Sequence, residues 1–168
     1  MVKKNVTEKL LQSYQRYYNL TSEDVAEPFF AEAVYHASDT HYFLLKSARL
    51  SQCFVHEYVY FAEAGELTPE QLQSLCDTAW ERGLKGFIPE NGHKSSDVVL
   101  YIIADSIKAD TGRAASRIKK YKSYRYAFQG WSRFRLVAID VSGDKVFYNR
   151  QGRILEKIVR NAIKNLSM

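Results

Sequence analysis

Cysteine is scarce in this chain: Cys53 and Cys76 stand alone, with no paired spacing between or around them. A disulfide framework or a thiolate metal cluster needs more, so the sequence points to a reducing, cytoplasmic setting. Long apolar runs are also missing. None approaches the roughly 18 residues of a membrane helix, and no membrane partner is expected. Met1-Val2-Lys3-Lys4 leads into an amphipathic segment, unlike the continuous apolar stretch of a signal peptide. Glycine-rich phosphate loops of the Walker or dinucleotide type are absent, and with them the expectation of a nucleotide cofactor. Repeats, low-complexity tracts and linker-like segments are absent too, so residues 1–168 read as a single domain.

What is present fits a globular chain. Hydrophobic residues make up 46% and charged residues 26%, ordinary values for a packed domain. A domain of this size buries about 70% of the surface its unfolded chain exposes. Tyrosine is abundant, 12 of the 23 aromatic residues, and a ring with a polar tip suits a half-exposed binding surface.

The longest apolar run is Val98 to Ala104, closed by Asp105. Seven uncharged, mostly β-branched residues suit a strand covered on both faces, the centre of a sheet. Around it, residues 3–19 place Val6, Leu10, Tyr14, Tyr17 and Tyr18 at helical spacing. Leu20 to Asp24 offers a further helix start. His41 to Leu50 and Phe54 to Glu63 read as a strand pair. Thr68-Pro69-Glu70-Gln71 is a capping box with proline at the first helical position, and Leu72, Leu75, Cys76, Ala79 and Trp80 follow on one face. Cys76 lies in that face and reads as a small core residue. Residues 106–122 become helical towards their end, with Ala114, Ala115, Ile118 and Tyr121 on one side. Residues 124–141 read as extended, Ser142-Gly143-Asp144 as a hairpin turn, Lys145 to Tyr148 as the return strand, and Ile154 to Ile163 as a final helix. The expected fold is mixed α/β (α+β): about five strands in a mixed sheet with helices packed on it, in the order α-β-β-α-β-α-β-β-α.

Charge is divided unevenly. Residues 112–168 carry 14 Lys and Arg against 3 Asp and Glu, whereas residues 1–111 carry 10 against 16. A basic third on an otherwise acidic chain suits a polyanion partner, or a chain whose halves neutralise each other. Basic and aromatic residues interleave most densely from Arg117 to Arg135. Lysine and arginine attract phosphate backbones, and exposed rings stack unpaired bases. The expectation is a module for RNA or single-stranded DNA. Lys119, Lys120, Lys122, Arg125, Arg133 and Arg135 would contact phosphate, and Tyr121, Tyr124 or Trp131 would stack. The same alternation suits a half-buried strand whose aromatics enter the core beneath basic stems. The turn Tyr148 to Arg153, with Arg150 and Arg153, would also suit a phosphate or carboxylate.

Two further classes stay open. Asp105 ends the central strand, Asp140 ends the strand from Leu136, and Glu57 lies on the preceding hairpin. Carboxylates at strand ends can hold Mg²⁺ for phosphodiester hydrolysis. Over about half of the chain, the order of helix, hairpin, helix and strand resembles the restriction-endonuclease-like nucleases. That resemblance implies Mg²⁺ as cofactor and Asp105, Asp140 and Glu57 as the acids. The acidic-x-Lys triplet such enzymes carry occurs nowhere in this chain. The third class is a homo-oligomer in which basic and acidic parts of two copies pair without nucleic acid.

Shorter motifs carry less. Asp110-Thr111-Gly112 matches the aspartic-protease triplet once, where that chemistry needs two, and reads as a helix start. His36, His41, His56, His93 and Cys53 invite a metal reading, but Cys53 and His56, three apart on a strand, face opposite sides. No resident metal is expected.

Overall fold

The computed structural model describes residues 2–38, 54–86, 93–125 and 130–164. The chain opens with helix α1 (Val2–Gln15) and strands β1 (Asn19–Thr21), β2 (Ala31–Ser38) and β3 (Phe54–Leu67). Helix α2 (Pro69–Lys85), strand β4 (His93–Ile107) and helix α3 (Ala109–Arg117) follow. Strands β5 (Tyr121–Ser123), β6 (Trp131–Asp140) and β7 (Lys145–Tyr148) lead through a 3-10 turn at Gly152–Leu155 into helix α4 (Glu156–Lys164). All seven strands belong to one mixed sheet, ordered β1-β2-β3-β4-β6-β5, with β7 also paired to β6.

The apolar run 98–104 lies within β4, which is flanked by β3 and β6, both parallel to it. Its side chains alternate between two cores. Val98, Leu100 and Ile102 meet Leu72, Cys76 and Ala79 of α2. Val99, Tyr101 and Ile103 meet Val6, Leu10 and Tyr14 of α1 and Val159 of α4. Burial on both faces explains why this strand is uniformly apolar.

The capping box forms as the sequence predicts: the Thr68 side chain accepts from the Gln71 backbone, and the Gln71 side chain accepts from Thr68 N–H. Near the end of α2, Gly83 packs on Val98, whose methyl carbon would sit 2.4 Å from any added Cβ. That close approach seats the helix on the sheet.

Several expectations are corrected. The first helix stops at Gln15, and Asn19–Thr21 pairs with β2 instead of starting a helix. The partner of β3 is Ala31–Ser38, in antiparallel register; the predicted strand 41–50 lies outside the described residues. β4 runs past Asp105 to Ile107. Helix α3 ends at Arg117, and Tyr121 belongs to a short strand. The residue preceding α3 is Lys108, so Asp110 and Thr111 stand in its first turn, with Asp110 accepting from the Thr111 backbone at 2.8 Å.

Candidate polyanion-binding groove

The outer edge of β6 is shared by two strands. β5 pairs with Trp131–Arg133, and β7 pairs with Val137–Asp140. Asn149, which is 1% exposed, bridges the interval between them. Its Oδ1 accepts from Leu136 N–H at 2.9 Å and Gly152 N–H at 2.8 Å. Its Nδ2 donates to Phe134 O at 3.0 Å and Ile118 O at 3.1 Å. Both acceptor and both donor positions of the amide are used, so one side chain stands in for a missing length of strand. Gly152 is required here, because a Cβ would lie 2.1 Å from the Leu136 carbonyl oxygen.

This notch opens a groove of about 530 Å³ lined by Ser116–Tyr121, Arg133, Phe134 and Asn149–Gln151. Five of those residues are cations (Arg117, Lys119, Lys120, Arg133 and Arg150), and no carboxylate lines it. Tyr121, 56% exposed, presents its ring beside them. The groove thus joins three predicted phosphate contacts and one predicted stacking residue. It adds Arg150 from the polar turn and Arg117 from the end of α3.

Two of its cations arrive already engaged. Lys120 pairs with Asp77 of α2, which holds the Asp77 carboxyl below its ordinary value. Arg133 makes a double contact with Asp97, at 3.0 and 3.2 Å. Among the described residues, Arg117, Lys119 and Arg150 make no ion pair, so the field of the groove rests on them.

The remaining predicted residues lie elsewhere. Arg135 is turned into the protein, 2.8 Å from Asp97 and 3.7 Å from Glu57, a correction to its role as a phosphate contact. β6 runs parallel to β4, and this register draws its arginines onto acids that begin the neighbouring strands. Tyr124 is also corrected: it is 8% exposed, its hydroxyl 2.9 Å from Ser132 Oγ, and its ring has no open face for a base. Lys122 stands opposite Ser132 in the β5–β6 register and lies over the Tyr124 ring, 5.4 Å from its centroid. Arg125 is exposed beyond β5, and Trp131 is half-buried. Neither lines the groove.

The three candidate catalytic acids do not meet. Glu57 pairs in register with Asp97 near the start of the parallel strands, while Asp140 pairs with Ala104 at their ends. Eight residues of strand separate Asp97 from Asp105, roughly 26 Å. Asp105 pairs with Lys3 of α1 at 3.3 Å. Asp140 closes the β6–β7 turn, accepting from Ser142 Oγ at 3.1 Å and Gly143 N–H at 2.8 Å. Among the described residues, no three His, Cys, Asp or Glu side chains are grouped to hold a metal. The donor set for Mg²⁺ is therefore not assembled from these residues.

Sequence reasoning missed a polar cluster between the sheet and α1. Tyr18 donates to Glu57 at 2.8 Å, Arg135 joins Glu57 to Asp97, and Tyr14 and Tyr101 share a hydrogen bond of 2.7 Å. Burial raises the Glu57 carboxyl above its ordinary value, against the Tyr18 hydrogen bond and the Arg135 charge, which lower it. Burial likewise lifts the Cys76 thiol to about 12, which leaves it protonated and unreactive.

Fold and groove together define an α+β protein with one mixed sheet and a cationic notch on its edge. The chain belongs to the family described as Domain of unknown function (DUF8052), whose model matches residues 2–161. No curated protein and no solved structure matches it. Among the described residues no helix is long and apolar enough to cross a membrane.

Proposed function

We propose that the groove between β5 and the Asn149–Gln151 turn binds single-stranded nucleic acid, RNA or DNA, through its phosphates. The observation that carries this reading is five cations around about 530 Å³ with no carboxylate in the lining. Arg117, Lys119 and Arg150 supply the charge that attracts phosphate. Tyr121 supplies a ring on which one base can stack, worth about 1–3 kcal/mol. Arg133, held by Asp97, keeps its remaining donors at the groove wall.

Fluorescence anisotropy with labelled RNA and DNA 12-mers tests the reading. Binding should weaken between 50 and 200 mM salt and be lost in the triple variant Arg117→Ala, Lys119→Ala, Arg150→Ala. Absence of binding at low salt, or equal binding by the triple variant, overturns it.

A further inference from the structure

His36 in β2 and His56 in β3 are register partners on adjacent antiparallel strands. Their Nδ1 atoms lie 2.6 Å apart, and the rings meet edge to face with centroids separated by 4.8 Å. At that distance one nitrogen carries a hydrogen and the other directs its lone pair at it. With that hydrogen gone, the two Nδ1 lone pairs are close enough to share one metal ion once the rings turn toward it. The pair is accessible, with His36 exposed and His56 half-buried.

We propose that His36 and His56 form a two-imidazole site for a divalent late transition metal, Cu²⁺ foremost, with solvent completing the coordination. Three observations favour this class of ion. Cross-strand pairing fixes the two Cβ atoms about 4.5–5.5 Å apart, so both ligands are held in place before metal arrives. Metal–nitrogen bonds of about 2.0–2.1 Å set neighbouring nitrogens about 2.9 Å apart at cis corners of a square plane and about 3.3 Å apart in a tetrahedron. The observed pair needs to open by only a few tenths of an ångström for the first, and Cu²⁺ combines that geometry with the highest affinity of its series.

The surroundings argue against hard cations. The next pair on the same face is Val34 with Tyr58, and the carboxylate of Glu57 belongs to the opposite face, where Tyr18 donates to it. Among the described residues no Asp or Glu is grouped with the two histidines to hold a metal, as Mg²⁺ or Ca²⁺ would require. The hydrogen between the two Nδ1 atoms has to leave before metal binds, to solvent or to the other nitrogen of its ring, so affinity should weaken as pH falls.

The test is a titration of the full chain with Cu²⁺ in a non-coordinating buffer, followed by calorimetry and electron paramagnetic resonance. One equivalent should bind, with splitting from two imidazole nitrogens. Loss of an outer-shell partner alone costs about 10–100-fold in metal affinity, so loss of a ligand in His36→Ala or His56→Ala should cost at least roughly tenfold. His41→Ala and His93→Ala should bind as the parent does. Zn²⁺ with ¹⁵N-labelled histidine gives a variant-free check, in which the Nδ1 resonances of both residues shift together. Unchanged affinity in the His36, His56 double variant, or loss confined to the His41 and His93 variants, overturns the proposal.

Discussion

Asp97 and Arg133 stand opposite each other in the β4–β6 register and make two side-by-side hydrogen bonds, with Oδ1 3.0 Å from Nε and Oδ2 3.2 Å from a terminal nitrogen. The same Oδ2 lies 2.8 Å from Arg135. One buried carboxylate therefore holds two guanidinium groups, one facing the groove and one facing the core.

Asp97→Asn should destabilise the fold by about 3 kcal/mol, because it leaves the half-buried charge of Arg135 balanced by Glu57 alone. Urea denaturation measures the loss. A midpoint equal to that of the parent would show that the cluster contributes nothing to stability.

Asn149→Ala removes four hydrogen bonds made by one buried amide. Several backbone groups of β6 and the adjoining turn then lack partners, each costing about 1–3 kcal/mol if water does not reach it. A loss of about 3 kcal/mol or more is expected in urea unfolding. Nucleic-acid affinity should fall with it at temperatures where the variant remains folded, since Arg150 sits on the turn that this amide anchors.

Lys119 and Lys122 are close in sequence but not in role. Lys119 lines the groove, whereas Lys122 lies over Tyr124. Lys119→Ala should lower single-strand affinity and flatten its dependence on the logarithm of salt by about 0.7. Lys122→Ala should leave both within error. Equal effects would mean that overall charge, not the groove, governs binding.

Glu57 makes a pH prediction whose sign is fixed by burial. Its carboxyl is raised above the ordinary value of 4.5 in the folded protein. Between the two values the native state holds the proton more tightly than the unfolded chain. This contribution is therefore greatest below pH 4.5 and declines as pH rises through the folded value. Glu57→Gln abolishes it, so parent stability should fall relative to the variant as pH is raised from 4.5 towards neutrality. Parallel profiles would contradict the raised carboxyl.

The core was legible because its signals are local. The run 98–104, the capping box at Thr68 and the apolar stripe from Leu72 to Trp80 each lie within a few residues, and each forms as read. What escaped depends on distant pairing. Arg133 and Arg135 resemble free cations until β6 lies beside β4, which brings in Asp97, and Glu57 of β3 follows. No local signal supplies this register: Val98 lies opposite Phe134 and Leu100 opposite Leu136, so the apolar runs that follow Asp97 and Arg135 do not start in line, and the Asp97–Arg133 pairing follows from the fold alone. The three-residue strands β1 and β5 are too short to carry a period, which is why Tyr121 passed for the end of a helix. Arg150 was noticed in its turn but not joined to Lys119, because Asn149 makes that link through side-chain bonds that no spacing encodes.

The division of the β6 border between β5 and β7 also bears on self-association. Three or four residues in each of those strands offer an incoming chain too little ladder to grow on. Between them the Asn149 amide occupies hydrogen-bonding groups that would otherwise template another strand. Under the proposed function, copies gathered along one nucleic-acid strand would meet at this flank, where the short strands and the Asn149 amide leave little backbone for edge-to-edge pairing.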